Sequence, residues 1–115
     1  MNAHPLYWFK ACQLSEIPKR GAIRIQHAEW QIAIFKTAGN EIFALEDKCP
    51  HKGGPLSAGI VHDNCVTCPL HNWDISLESG QAQGADEGQT TRFRVRLEED
   101  AVLLGVDETQ LVLTA

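Results

Sequence analysis

No stretch of the sequence reaches the roughly 18 consecutive apolar residues that a membrane-crossing helix needs, so no membrane partner is expected. Basic residues are scarce: 10 Lys and Arg stand against 15 Asp and Glu, for a formal net charge of -5. That balance lacks the basic face that nucleic-acid binding requires. The N-terminal MNAHPLYWFKACQL has no basic segment followed by an apolar stretch and a small-residue cleavage site. It reads as mature and not secreted, which makes a cytoplasmic location the expectation. Glycine-rich phosphate loops and dinucleotide fingerprints are absent. No nucleophile stands beside a base, and no paired carboxylates mark an acid–base site. A helical period is also missing beyond about ten residues, so little helix is expected. Repeats, linkers and low-complexity tracts are absent, and 115 residues suffice for one domain, 1–115.

What remains is a series of short β-rich runs between turns. Leu6 to Leu14 alternates loosely and carries aromatics. GAIRIQH sets Ile23 and Ile25 on one face and Arg24 and Gln26 on the other. EWQIAIFK and EIFALED flank TAGN, a Gly-Asn hairpin turn. RFRVRLEED alternates strictly, predicting Phe93, Val95 and Leu97 inward and Arg92, Arg94 and Arg96 outward. AVLLGV follows a charged turn, and QLVLTA could form a last strand. Many short strands at close spacing predict an all-β fold, a sandwich or small barrel of antiparallel sheets. One segment interrupts the series. Residues 44–78, rich in Gly and Pro, read as a loop-built lobe inserted between base segments 1–43 and 79–115, with GIV and CVT as short apolar runs around HDN.

The lobe holds KCPHKGGPLSAGIVHDNCVTCPLHNWDIS. Cys49 and His51 stand at one turn, and Cys68 and His71 at another, in the pattern C-x-H-x(16)-C-x2-H. One such pair is weak; two, each followed by turn residues, are much less easily accidental. An even count of four cysteines (Cys12, Cys49, Cys65 and Cys68) could mean disulfides. In a chain with no export signal, metal or cluster ligation is the better reading for at least two of them. Structural zinc sites often take both cysteines from one turn. One sulfur and one nitrogen per turn instead suits a two-iron cluster, with two cysteines on one iron and two histidines on the other. A non-redox zinc-binding or assembly module is the alternative.

These boxes, CPH and CPLH, resemble the ligand boxes of the Rieske [2Fe-2S] family, and Leu56, Gly59 and Gly80 fall where that family usually has Leu or Gly. CPHKGGPLSAGIV, VTCPLHNWDISLESGQA and the overall length are similar to the small-subunit family of assimilatory NAD(P)H-dependent nitrite reductases, most strongly from Phe43 to Ala82. The resemblance implies a Rieske fold and a [2Fe-2S] cluster held by Cys49, His51, Cys68 and His71 at the tip of the lobe. It also implies a large catalytic subunit as partner, carrying FAD, an NAD(P)H site, sirohaem and a further iron–sulfur cluster, where nitrite becomes ammonium. A stand-alone Rieske ferredoxin feeding an oxygenase is the alternative within the same fold. High-potential respiratory members carry a loop disulfide and two hydroxyl donors to the cluster sulfurs. Gly54, Leu70, Trp73 and Ile75 occupy those places here, which implies a potential low in the roughly −150 to +300 mV Rieske window.

The remaining residues have plainer expectations. Cys12 and Cys65 read as buried thiols packing as small hydrophobes. His4, His27 and His62 read as surface histidines without partners at ligand spacing. Trp8, Trp30 and Trp73 read as core or lobe packing. Arg92, Arg94 and Arg96 read as a solvated strand face that could also meet an acidic partner. Gly53 and Gly54 allow a tight cluster loop. Pro55, Leu56, Pro69 and Leu70 stand beside the ligands, either shielding them or forming an apolar patch at the tip.

Overall fold

A computed structural model describes residues 6–27, 30–49, 54–69, 72–83 and 88–107. His4 and QLVLTA lie outside the described residues. Nine strands carry the described chain: β1 (Leu6–Gln13), β2 (Gly21–His27), β3 (Trp30–Lys36), β4 (Ile42–Glu46), β5 (Ile60–His62), β6 (Cys65–Thr67), β7 (Asp74–Ser76), β8 (Arg92–Glu98) and β9 (Ala101–Asp107). Two single-turn 3-10 segments, Leu14–Glu16 and Leu56–Ala58, are the only helical pieces among the described residues. The all-β expectation holds.

β1, β9, β8, β4, β3 and β2 form one antiparallel six-stranded sheet in that order, and β5, β6 and β7 form a three-stranded one. The large sheet curls until its two edges meet. The rings of Phe9 in β1 and His27 in β2 stack at 3.8 Å with 7° between planes. Lys36 Nζ donates to the Leu14 carbonyl at 3.0 Å across the same seam. Curling removes the open edges that a flat sheet would expose. His27 is therefore half-buried against Phe9, not a surface histidine. The TAGN turn forms as expected, with Thr37 N–H donating to the Glu41 carbonyl at 2.9 Å and Asn40 in the left-handed region at φ 66°.

Two cores result, and β3 serves both. Ile32 and Ile34 point into the curled sheet with Trp30, Ala44, Phe93, Val102, Leu104 and Val106. Trp30 and Phe93 meet edge to face at 5.2 Å. Ala33 and Phe35 point the other way, into a second cluster with Leu45, Leu56, Val66, Ile75 and Leu77, which welds the small sheet to the outer face of β3 and β4. A strand buried on both faces needs the continuous apolar run IAIF, not alternation. The residue at which the lobe is expected to begin, 44, falls inside β4, which stays in the large sheet through Glu46.

One expectation for β8 fails. Leu97 is 47% exposed. β8 pairs with β4 only at Arg92 and Phe93, so its far half keeps β9 on one side and has no strand on the other, which leaves Leu97 on an open edge.

Candidate metal centre

The two turns of the lobe are closed alike. Cys49 N–H donates to the Gly54 carbonyl at 2.8 Å, and Cys68 N–H donates to the Trp73 carbonyl at 2.7 Å. Each bond joins two residues five apart in sequence and brings the chain on either side of the segment together. His51, Gly53, Leu70 and His71 fall between these bonded pairs in sequence and lie outside the described residues. The cysteines of these pairs are described. Neither is in a disulfide; they are 1% and 0% exposed, and both belong to the lobe core with Leu56, Val66 and Ile75.

Each turn has its own anchor. Asp47, two residues before Cys49, is 6% exposed. Its carboxylate accepts the Arg24 Nε–H at 2.6 Å, the Ser57 N–H at 2.7 Å and the Ser57 O–H at 2.7 Å. It thereby ties β2, the first turn and the 3-10 segment Leu56–Ala58 together. The second turn links β6 to β7, where Thr67 donates its hydroxyl to Asp74 Oδ1 at 2.5 Å. His62 Nε2 lies 2.7 Å from Thr67 Oγ1 and 3.4 Å from Asp74 Oδ1. Asn72 takes φ 58°, the left-handed geometry such a turn demands. Gly59 is obligatory for another reason: a Cβ there would stand 2.3 Å from the Thr67 carbonyl oxygen.

Several expectations change here. His62 is exposed, as expected of a surface histidine, and pairing of β5 with β6 and of β6 with β7 also sets it within reach of Thr67 and Asp74. Cys65 is half-buried, not buried, since Val66 takes the inward side of β6 and leaves Cys65 on the outer face. Its thiol pKa is raised by burial first, then by Asp74, Asp63 and Glu78. Cys12 is buried as expected, in the other core, its thiol pushed up by burial and by Glu16 against the opposing pull of Lys10 and Lys36. Leu56 is fully buried and so cannot belong to a tip patch, whereas Pro55 and Pro69 are exposed. Sequence reasoning passed over Asp47, Arg24 and Ser57. A single acid before a turn carries no periodic signal, and its partners come from β2 and from ten residues downstream.

This donor set fits a two-iron cluster. Two reduced thiols lie in one water-excluding core, each at the mouth of an identically closed turn, and the other two cysteines are placed apart from them. A bound cluster of this type supplies one-electron chemistry. The chain's own contribution is to bury the thiols, hold the turns through Gly54 and Trp73, and fasten the lobe through Asp47. Ile75, 0% exposed, offers no hydroxyl donor to the site.

Comparison with known proteins agrees. The Rieske [2Fe-2S] domain family matches residues 7–94. The 3-phenylpropionate/cinnamic acid dioxygenase ferredoxin subunit of Escherichia coli (strain K12) is 32% identical over 103 residues, covering 87% of this chain and 94% of that protein. A solved NADPH nitrite reductase small-subunit oxidoreductase protein superposes with a TM-score of 0.77 at 28% identity, covering 86% of this chain and 98% of that one. The NADH-dependent nitrite reductase small subunit from Mycobacterium tuberculosis shares the fold, with a TM-score of 0.80 at 19% identity over 89% of this chain and 96% of that one. Against some longer relatives the match is partial: the chain spans 26% of the 4beta-methylsterol monooxygenase of Methylococcus capsulatus and 21% of the cholesterol 7-desaturase of Caenorhabditis elegans. The family match sets aside the zinc-module alternative. With two buried thiols at paired turns on a curled β base, the chain belongs to the Rieske [2Fe-2S] domain family, whose [2Fe-2S] cluster gives it an electron-transfer role.

Proposed function

We propose that this chain is the small subunit of an assimilatory NAD(P)H-dependent nitrite reductase, and that Cys49, His51, Cys68 and His71 are its cluster ligands. The observation that carries the reading is the resemblance to that small-subunit family, strongest from Phe43 to Ala82 and through KGGPL and HNWDISLESG. The solved small subunit that matches nearly end to end supports it. The partner is then a large catalytic subunit bearing FAD, sirohaem, a further iron–sulfur cluster and the NAD(P)H site. The described residues fit an accessory carrier: they bury sulfur and shape turns.

The test is reconstitution. The chain should co-purify with the nitrite reductase large subunit of its own organism and raise NAD(P)H-dependent conversion of nitrite to ammonium. If it neither binds that subunit nor changes the rate, the reading fails.

A second reading, a Rieske ferredoxin delivering electrons to an oxygenase, is favoured by the 32% identity to a dioxygenase ferredoxin subunit along almost the whole length of that protein. It predicts electron delivery to a ring-hydroxylating oxygenase and indifference to the nitrite reductase large subunit.

A further inference from the structure

β4 and β8 pair over only two residues, Ala44 with Phe93 and Leu45 with Arg92. Beyond Phe93 the strands part while each keeps its other neighbour: β4 stays on β3 through Ile42, and β8 stays on β9 through Glu98. Glu46 N–H donates to the Thr91 carbonyl at 2.7 Å, which sets the phase of the ladder. In antiparallel pairing the bonded pairs alternate, so residues 42, 44 and 46 turn their amides and carbonyls towards β8, and 91, 93 and 95 turn theirs towards β4. The next bonded pair in that phase is Ile42 with Val95, and the register stops before it. A cavity of about 420 Å³ takes its place, lined by Trp8, Phe43, Leu77, Val95, Arg92 and Arg94 among others.

The cleft has an apolar floor and a cationic rim. Arg92, Arg94 and Arg96 all project, exposed, from one face of β8. They are three of the 10 Lys and Arg of a chain whose net charge is -5. Arg92 Nη1 donates to the Glu78 carbonyl at 2.9 Å. Arg96 pairs with Glu98 and lies over the Trp8 ring at 5.3 Å. Arg94 has no carboxylate partner among the described residues.

Open strand edges recruit strands. We propose that this cleft docks an extended acidic segment of the larger catalytic subunit, with its main chain on the free edges of Ile42 and Val95, an apolar side chain on Phe43 and Trp8, and carboxylates on Arg92 and Arg94. The inference rests on the small-subunit reading in naming that partner. Three features choose the occupant. The interrupted ladder asks for an extended segment, the arginines ask for acid in a protein that is otherwise acidic, and the cavity admits a few side chains, not a domain. The docking contact is separate from the metal-binding turns, so tethering and electron exchange use different surfaces.

The test measures binding of the full, cluster-loaded chain to the isolated nitrite reductase large subunit at low and high salt. Arg94→Glu should weaken binding at least about tenfold and flatten its salt dependence, as for a charge pair across an interface. Arg94→Gln should give a smaller loss. Lys19→Glu, the same charge change at an exposed site elsewhere, should leave binding unchanged. All three should retain the cluster absorption, which separates a docking defect from misfolding. Wild-type binding with Arg94→Glu binding equally well would overturn the cleft and leave the small-subunit reading standing. No binding even by the wild type would overturn both. If light scattering instead shows that the chain alone is a dimer which Arg94→Glu dissociates, the occupant is a second copy and the proposal is wrong.

Discussion

The two cores of this molecule share a strand and little else. The interior of the curled sheet is lined from all six of its strands, and its members recur at every second residue: Ile32 and Ile34, then Val102, Leu104 and Val106. The lobe core is assembled from short pieces: Ala33 and Phe35 from the back of β3, Leu45 from β4, Leu56 from a single 3-10 turn, and Val66, Ile75 and Leu77 from or just after strands of three residues. Three-residue strands bury too little to hold themselves together. The lobe therefore depends on what it leans against and on a few polar fastenings, and Cys49 and Cys68 are placed in that dependent half. The difference teaches that this fold separates endurance from chemistry. A self-sufficient base carries a small lobe whose order comes from its contact with β3, from Asp47 and, when present, from the cluster.

The sharpest way to break this comparison is at the cysteines. Cys49→Ser or Cys68→Ser should abolish the visible absorption and the Rieske-type electron resonance of the reduced protein, while far-ultraviolet circular dichroism still reports the β base. Cys12→Ser and Cys65→Ser should keep both signals; loss on Cys65→Ser and retention on Cys49→Ser would invert the assignment. Next come two truncations on adjacent residues of β3. Ile34→Ala and Phe35→Ala each empty a fully buried site and should cost about 2–5 and about 3–5 kcal/mol in denaturant unfolding. Only Phe35→Ala should also speed cluster loss at temperatures where the base stays folded. Equal cluster lifetimes in the two variants would show that the lobe does not depend on the seam.

Asp47→Ala is the smaller, polar version of the same cut. It strips three hydrogen bonds from a buried carboxylate and should cost about 2 kcal/mol, with faster cluster release as the accompanying readout. Arg24→Ala should cost less, because that side chain is 47% exposed and its charge is already solvated. The smallest effect is alkaline. The thiols of Cys12 and Cys65 are raised in the folded state, so their contribution to stability is fully present below the unfolded thiol value of about 8.5 and is lost as pH rises through the folded one. Replacing both by alanine, which has no titrating group, should flatten the decline in stability above that pH. A steeper decline would reverse the sign.

Much of the architecture follows from local rules. Alternation marks a strand whose two faces meet different surroundings, so GAIRIQH, RFRVR and the TAGN turn are legible where they stand, and the all-β class with them. Spacing marks metal turns, because converging ligands need a tightly folded backbone, and Cys49 and Cys68 stand out for that reason. Other features answer to partners distant in sequence. Leu97 alternates like a core residue but lies where β8 has lost its pairing with β4 and forms an open edge. His27 is half-buried because the sheet curls Phe9 onto it, and His62 meets Asp74 only across two strand pairings. Asp47 matters because Arg24 and Ser57 converge on it from other parts of the fold. Periodicity reports a residue's own environment along one element. Which carboxylate becomes a hinge pin, and which strand edge stays open, depends on where separate elements meet in space.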